Sequence, residues 1–275
     1  LKSYHFFIAA VLIPLSSILA QGIMPGTNYQ RGIHIELFKP VLNELSAPAI
    51  FSSGGFISGR YAIHPLISFE ADAGLVYMGS DQSNSSALFL ANPYAGVLLQ
   101  TSQTLTLRVG ARLPLAPDQG SKARAAALGM EVNSGKQDAF APNVMPASLS
   151  IIGEHIYGNG IGYHVSLGPE FWLDTDPAEP QYRNQIQEPI DIFVKYRIIY
   201  LHRIQKFTSF GGFDGNLQMT EDFKEKVQRV NNDFVLGAHR EVASFRPAVT
   251  LRFPADSRAF ESTYLTGALH LITEF

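Results

Sequence analysis

Apolar and polar residues alternate with period two through most of this chain. From Ile67 to Tyr77 the odd positions are Ile67, Phe69, Ala71, Ala73, Leu75 and Tyr77, while Ser68, Glu70, Asp72 and Gly74 lie between them. From Leu105 to Leu115 the apolar set is Leu105, Leu107, Val109, Ala111, Leu113 and Leu115, against Thr106, Arg108, Gly110 and Arg112. From Ile190 to Tyr200 it is Ile190, Ile192, Val194, Tyr196, Ile198 and Tyr200, opposite Asp191, Lys195 and Arg197. Ile161 to Leu173 repeats the pattern, with His164, Ser166 and Glu170 on the polar side. Successive side chains of a strand point to opposite faces, so this period marks strands with one apolar and one polar face.

The strands are long. A tilted membrane strand needs about 9–11 residues, whereas strands of soluble sandwiches, which also alternate, are most often about 5–6 long. We place strands near 31–41, 54–63, 66–79, 88–100, 104–116, 147–157, 161–173, 190–203, 207–218, 232–242, 247–253 and 263–275. Short links (His64-Pro65, Thr101 to Gln103, Gly158 to Gly160, Ile204 to Lys206, Ala243 to Arg246) alternate strictly with longer ones at 42–53, 80–87, 117–146, 174–189, 219–231 and 254–262. That order predicts an all-β, up-and-down antiparallel barrel of about twelve strands, with ten as the alternative. Segment 247–253 is the least secure, being short and starting at Pro247. The barrel must close, because an open edge would leave backbone groups unpaired in hydrocarbon. Aromatics on the apolar faces (Tyr61, Tyr77, Tyr163, Phe171, Tyr200, Phe253) sit near segment ends, where interfacial girdles belong.

Composition narrows the class further. Charged residues are 16% of the chain and apolar ones 46%, yet no segment after residue 20 reaches eighteen uncharged apolar positions, so helical spans are not expected. Net charge of −3 gives no basic field for nucleic acid. Cysteine is absent, which excludes disulfides and thiolate metal sites. Lys2, the apolar run Phe6 to Leu15 and the small residues up to Ala20 have the form of a secretory signal peptide. We therefore expect a signal peptide at 1–20 and one barrel domain at 21–275.

The last strand, Tyr264 to Phe275, alternates to its end: Leu265, Gly267, Leu269, Leu271, Thr273 and Phe275 share one face. Together with the signal peptide and the alternating strands, this terminal aromatic resembles the closing strand of bacterial outer-membrane β-barrel proteins. The resemblance implies residence in a Gram-negative-type outer membrane with both termini periplasmic. It also implies contact with outer-membrane lipid, and recognition of Phe275 by the barrel-assembly machinery.

Turning the polar faces inward predicts a lumen lined by Glu36, Glu70, Asp72, Glu154, Glu170, Asp191 and Asp214 against Arg60, Arg108, Arg112, Lys195, Arg197 and Arg252. Lone buried charges are costly, so opposite signs should pair across strands, Arg60 with Glu70 or Asp72 among them. Near-balance of sign predicts weak ion selectivity. The longest loop, 117–146, has a helix-like Ala-rich core around Lys122 to Met130. A surface loop with a helical turn or two is the simpler expectation; a cap or an inward constriction is the other.

No catalytic signature emerges. The histidines are scattered, and neither a His-Ser signature like that of outer-membrane phospholipases nor a G-x-S-x-G elbow is present. Gly129 to Lys136 has one residue too many for a phosphate-binding loop, and Gln137 stands where Ser or Thr is needed. His34 and His270 fall on the first and last strands, which meet at closure. They are expected as hydrogen-bonded seam residues rather than metal ligands, although Glu36 or Glu274 nearby makes a metal conceivable. The expected protein is thus a structural or weakly selective, porin-like barrel, without catalytic residues, cofactor or metal, that passes small polar solutes. Ligand or partner binding by its loops is the alternative, and lipid hydrolysis a more distant one.

Overall fold

The computed structural model describes Pro25 and residues 31–42, 50–80, 85–120, 122, 123, 126, 134–175, 190–220, 230–255 and 263–275. The expected signal peptide lies outside the described residues, as do most of the longer loops. The strands are β1 (Arg31–Leu42), β2 (Ile50–His64), β3 (Ile67–Ser80), β4 (Ser85–Leu90), β5 (Tyr94–Gln100), β6 (Leu105–Arg112), β7 (Val144–Ile156), β8 (Ile161–Asp174), β9 (Ile190–Ile204), β10 (Phe207–Gln218), β11 (Val230–Arg240), β12 (Phe245–Pro254) and β13 (Thr263–Glu274). Each strand pairs antiparallel with its neighbours, and β1 closes the ring on β13 from Gly32↔Glu274 to Val41↔Leu265. The result is a closed twelve-strand barrel, with β4 as an extra strand paired only to the upper part of β3. Both described ends of the chain, and all the short turns, lie at one end of the barrel; the strand ends that the longer connections join lie at the other.

The pleat explains the wall. Outward positions carry the large apolar residues: Leu37, Ile57, Leu75, Ile151, Leu167, Ile198 and Leu269 are each more than half exposed. Their inward neighbours Phe38, Phe56, Val76, Ile152, Ile199 and Ala268 are buried. Such a contiguous apolar exterior suits lipid rather than water. Tyr61, Tyr77, Tyr163, Phe171 and Tyr200 are exposed on this surface, as is Phe275, whose amide approaches the Arg31 carbonyl at 3.4 Å. Among the described residues no helix is long and apolar enough to cross a membrane. Pro247 is accommodated within β12 beside the end of the β11 ladder, whose last pair is His239↔Ala248. A residue without an N–H is tolerated at such a margin.

Two of the expected strands need correction. Segment 88–100 is not continuous: the ladder to β3 stops at Leu75↔Leu90 and resumes one residue out of step at Asp72↔Tyr94, with Ala91, Asn92 and Pro93 between. Segment 104–116 ends at Arg112, and the chain then turns into the barrel. Both changes have one cause. Asn92 is completely buried and uses every hydrogen-bonding group it has. Its Nδ2 donates to the carbonyls of Asp138 (3.1 Å) and Ala141 (2.6 Å), and its Oδ1 accepts from the amides of Leu115 (2.7 Å) and Ala116 (2.6 Å). Its own amide donates to the Ala139 carbonyl at 2.7 Å, and its carbonyl accepts from Arg112 at 2.7 Å. One residue therefore ties both ends of the long loop to the gap in the wall.

In its described residues at 113–120 and 134–143 the loop is thus an inward plug, not the surface loop favoured from sequence. It is helical at Gly120, Lys122, Ala123 and Ala126; the rest of the predicted helix lies outside the described residues. A 3-10 segment, Ser134–Ala139, crosses the lumen and leads to Phe140, which is fully buried. The Phe140 ring meets those of Phe38, Phe56 and Phe89 edge-on, with centroids 6.0–6.5 Å apart. Edge-to-face packing of this kind adds about 0.5–1.5 kcal/mol per pair to simple burial.

Candidate functional site

Beneath the plug the barrel encloses a cavity of about 210 Å³. Its walls carry eleven of the thirteen residues predicted to face inward: Glu36, Arg60, Glu70, Asp72, Arg108, Arg112, Glu170, Lys195, Arg197, Asp214 and Arg252. The other two point inward without lining it. Glu154 is buried against His164 Nδ1 at 2.7 Å, and Asp191 accepts from the Thr220 hydroxyl.

The charges form paired clusters. Glu70 accepts from Arg60 at 3.5 Å and also from Arg108. Arg108 and Arg112 both lie over the Tyr94 ring, 4.8 Å and 5.4 Å from its centroid. Tyr94 can lie flat there because Gly96 and Gly110 face it; a Cβ at either would overlap the ring. Arg112 grips Asp72 at 2.7 Å and Asp138 at 2.5 Å. Lys195 bridges Asp138 (3.1 Å) and Glu170 (2.7 Å), and Glu170 also accepts from the Trp172 indole at 2.5 Å. Across the lumen Asp214 accepts from Arg197 at 2.5 Å and Arg252 at 2.8 Å, with Asp233 3.7 Å from Arg252. In a low-dielectric interior each ion needs such a partner to offset its lost hydration.

The plug supplies charges of its own. Lys136 reaches the Glu36 carboxylate, and its ammonium stands 3.8 Å from the Phe56 ring centroid. Gln137 accepts from Asn216 at 2.8 Å. Burial alone would push the Asp138 carboxyl upward, but Arg112 and Lys195 outweigh it and hold the group below the usual carboxylate range. The polar lumen is therefore a lock: Arg112, Lys195 and Glu36 on three different strands each hold a plug residue.

Sequence reasoning missed Asn92, Lys136 and Asp138. The first had a signal, because an Asn-Pro pair in the middle of an apolar strand marks a turn. The other two had none: Lys136 and Glu36 are 100 positions apart, and only the folded loop brings them together.

No family model matches the sequence, and no curated protein matches it. The fold does have counterparts. Over 94% of this chain and all of the other, the structure is similar to the COG4313 outer membrane channel from Pseudomonas putida F1 (TM-score 0.59, 11% identity). It is similar to the β domain of the Bordetella autotransporter BrkA over 90% of this chain and all of that one (TM-score 0.54, 10% identity). A third likeness, to the translocator domain of the autotransporter NalP from Neisseria meningitidis, covers 89% of this chain and 88% of the other (TM-score 0.54, 9% identity). The architecture is that of the bacterial outer-membrane β-barrels.

Proposed function

We propose that this protein is a narrow, weakly selective outer-membrane channel, held nearly closed by its own 113–143 segment. The supporting observation is the combination of a charge-lined cavity with a docked loop above it. In this reading the termini end faces the periplasm, the longer loops face outward, and small polar solutes are the cargo. No covalent chemistry is required of the barrel.

Ion selectivity follows from which charges remain unspent. Arg112 is bonded to Asp72, Asp138 and the Asn92 carbonyl, so it acts as a tether rather than a free lumen charge. The Arg108 side chain is about one-third exposed, more than any other cation of the lumen ion pairs, although it bonds Glu70. It is the better selectivity residue. Planar-bilayer recording in a potassium chloride gradient tests the proposal. A small conductance is expected, with a reversal potential close to zero that moves toward cation preference in Arg108→Gln. A barrel that passes no current at any voltage, with or without residues 120–140, would overturn it.

A further inference from the structure

At the seam where the barrel closes, three potential metal ligands converge. Glu36 on β1 stands directly across from His270 on β13, and His34 lies two residues along the same face of β1. All three are buried, and one donor atom from each lies within 4.8 Å of the other two. His34 Nε2 is 3.0 Å from His270 Nδ1, with the rings stacked at 5.2 Å. Two imidazole nitrogens bound to one ion at about 2.1 Å lie about 3.0 Å apart at a right angle and about 3.4 Å apart at the tetrahedral angle, so this pair stands within about 0.5 Å of either arrangement. On its other side His270 is held by Thr250, whose Oγ1 is 2.8 Å from Nε2. Metal-binding histidines use such a partner to fix ring orientation and tautomer. His34 Nδ1, by contrast, is buried without a hydrogen-bond partner among the described residues. With an ion on Nε2, His34 takes the tautomer in which this nitrogen carries the ring proton.

The same carboxylate is where the plug is anchored, since Lys136 pairs with Glu36. We propose that His34, Glu36 and His270 form a site for a divalent transition-metal ion, and that the ion and the Lys136 ammonium compete for Glu36. Two imidazoles and a carboxylate suit zinc, cobalt, nickel or copper and not the oxygen-seeking calcium or magnesium. Metal binding takes the carboxylate from Lys136 and so removes one of the plug's ionic anchors; plug docking in turn weakens the metal site by the same factor. The site itself does not depend on whether the lumen conducts.

The test is titration of the folded, detergent-solubilised barrel with cobalt chloride and zinc chloride, followed by visible spectroscopy and calorimetry. One cobalt ion per barrel is expected, displaced by zinc, with d–d bands of a nitrogen and oxygen ligand set. Folding of each variant is checked by heat-modifiable migration. His270→Gln and His34→Gln should each lose at least tenfold in affinity. Lys136→Met, which leaves the wall untouched, should gain several-fold because the internal competitor is gone. Absence of a stoichiometric cobalt spectrum in both the wild type and Lys136→Met overturns the site. Binding that survives both histidine substitutions also overturns it, as adventitious. Unchanged or weaker binding in Lys136→Met, with the histidines still required, overturns the competition.

Discussion

The β8–β9 wall and the β4–β5–β6 wall of this barrel solve the same problem differently. Between β8 and β9 thirteen successive pairs run without interruption from Ile161↔His202 to Leu173↔Ile190. On the other side β5 and β6 share only seven, from Tyr94↔Arg112 to Gln100↔Thr106, and β4 pairs with β3 alone. In hydrocarbon an unpaired backbone group costs several kcal/mol, on the order of the whole net stability of a small domain. The intact wall meets that demand with the ladder. The broken wall meets it with Asn92, which satisfies groups of the incoming loop from both directions. A β-barrel can therefore admit a plug through its own wall where one buried side chain satisfies backbone groups at both ends of the loop.

The comparison breaks most visibly at Asn92. In Asn92→Ala four side-chain hydrogen bonds to backbone groups disappear, costing the docked plug about 4 kcal/mol. The population of undocked loop should then rise by about three orders of magnitude. Limited proteolysis should cleave between residues 113 and 143 far faster than in wild type, while the barrel keeps its heat-modifiable migration.

Both walls should instead fail through lipid contact on their outward faces. Val194 and Leu107 lie on the outward faces of β9 and β6, so Val194→Arg or Leu107→Arg should cost about 2–4 kcal/mol near the midplane. Urea unfolding in lipid vesicles measures this. Equal stability of both variants and wild type would contradict the lipid-facing assignment.

A smaller effect separates the plug by pH. The Asp138 carboxyl is held below its ordinary value, so the stability it gives the plug is complete above the unfolded carboxylate value of about 3.9. That contribution is lost only as pH falls through the lower folded value. Asp138→Asn should weaken docking, read as faster proteolysis within 113–143, equally at pH 7 and pH 5. A plug that loosens between those two values in wild type but not in Asp138→Asn would reverse the assignment. The smallest change belongs to Arg203, whose 3.0 Å pair with Glu241 is solvent-exposed at the end of the barrel that holds the short turns. Arg203→Ala should alter stability by less than about 1 kcal/mol.

Much of this fold is legible in sequence because a barrel wall is local and periodic. Leu105, Leu107 and Val109 face outward simply because they are two apart, and the strict alternation of short and long links fixes the strand order. Arg60 and Glu70 could be paired in advance because β2 and β3 form a hairpin, in which these residues come directly opposite one another. The plug is another matter. Phe140 docks on Phe38, Phe56 and Phe89, three residues from three different strands, and Asp138 bonds Arg112 on β6 and Lys195 on β9. No period connects them, so an Ala-rich loop reads the same whether it lies above the barrel or within it. The bend at Asn92-Pro93 was the one local trace of its entry.

Single-channel conductance of the barrel lacking residues 120–140, measured beside wild type under the same salt and voltage, tests the central claim most directly. The account predicts a conductance several-fold larger in the shortened protein, because Lys136, Asp138 and Phe140 no longer cross the lumen. Equal conductance in the two proteins would contradict it, since a segment that leaves the current unchanged does not close the passage.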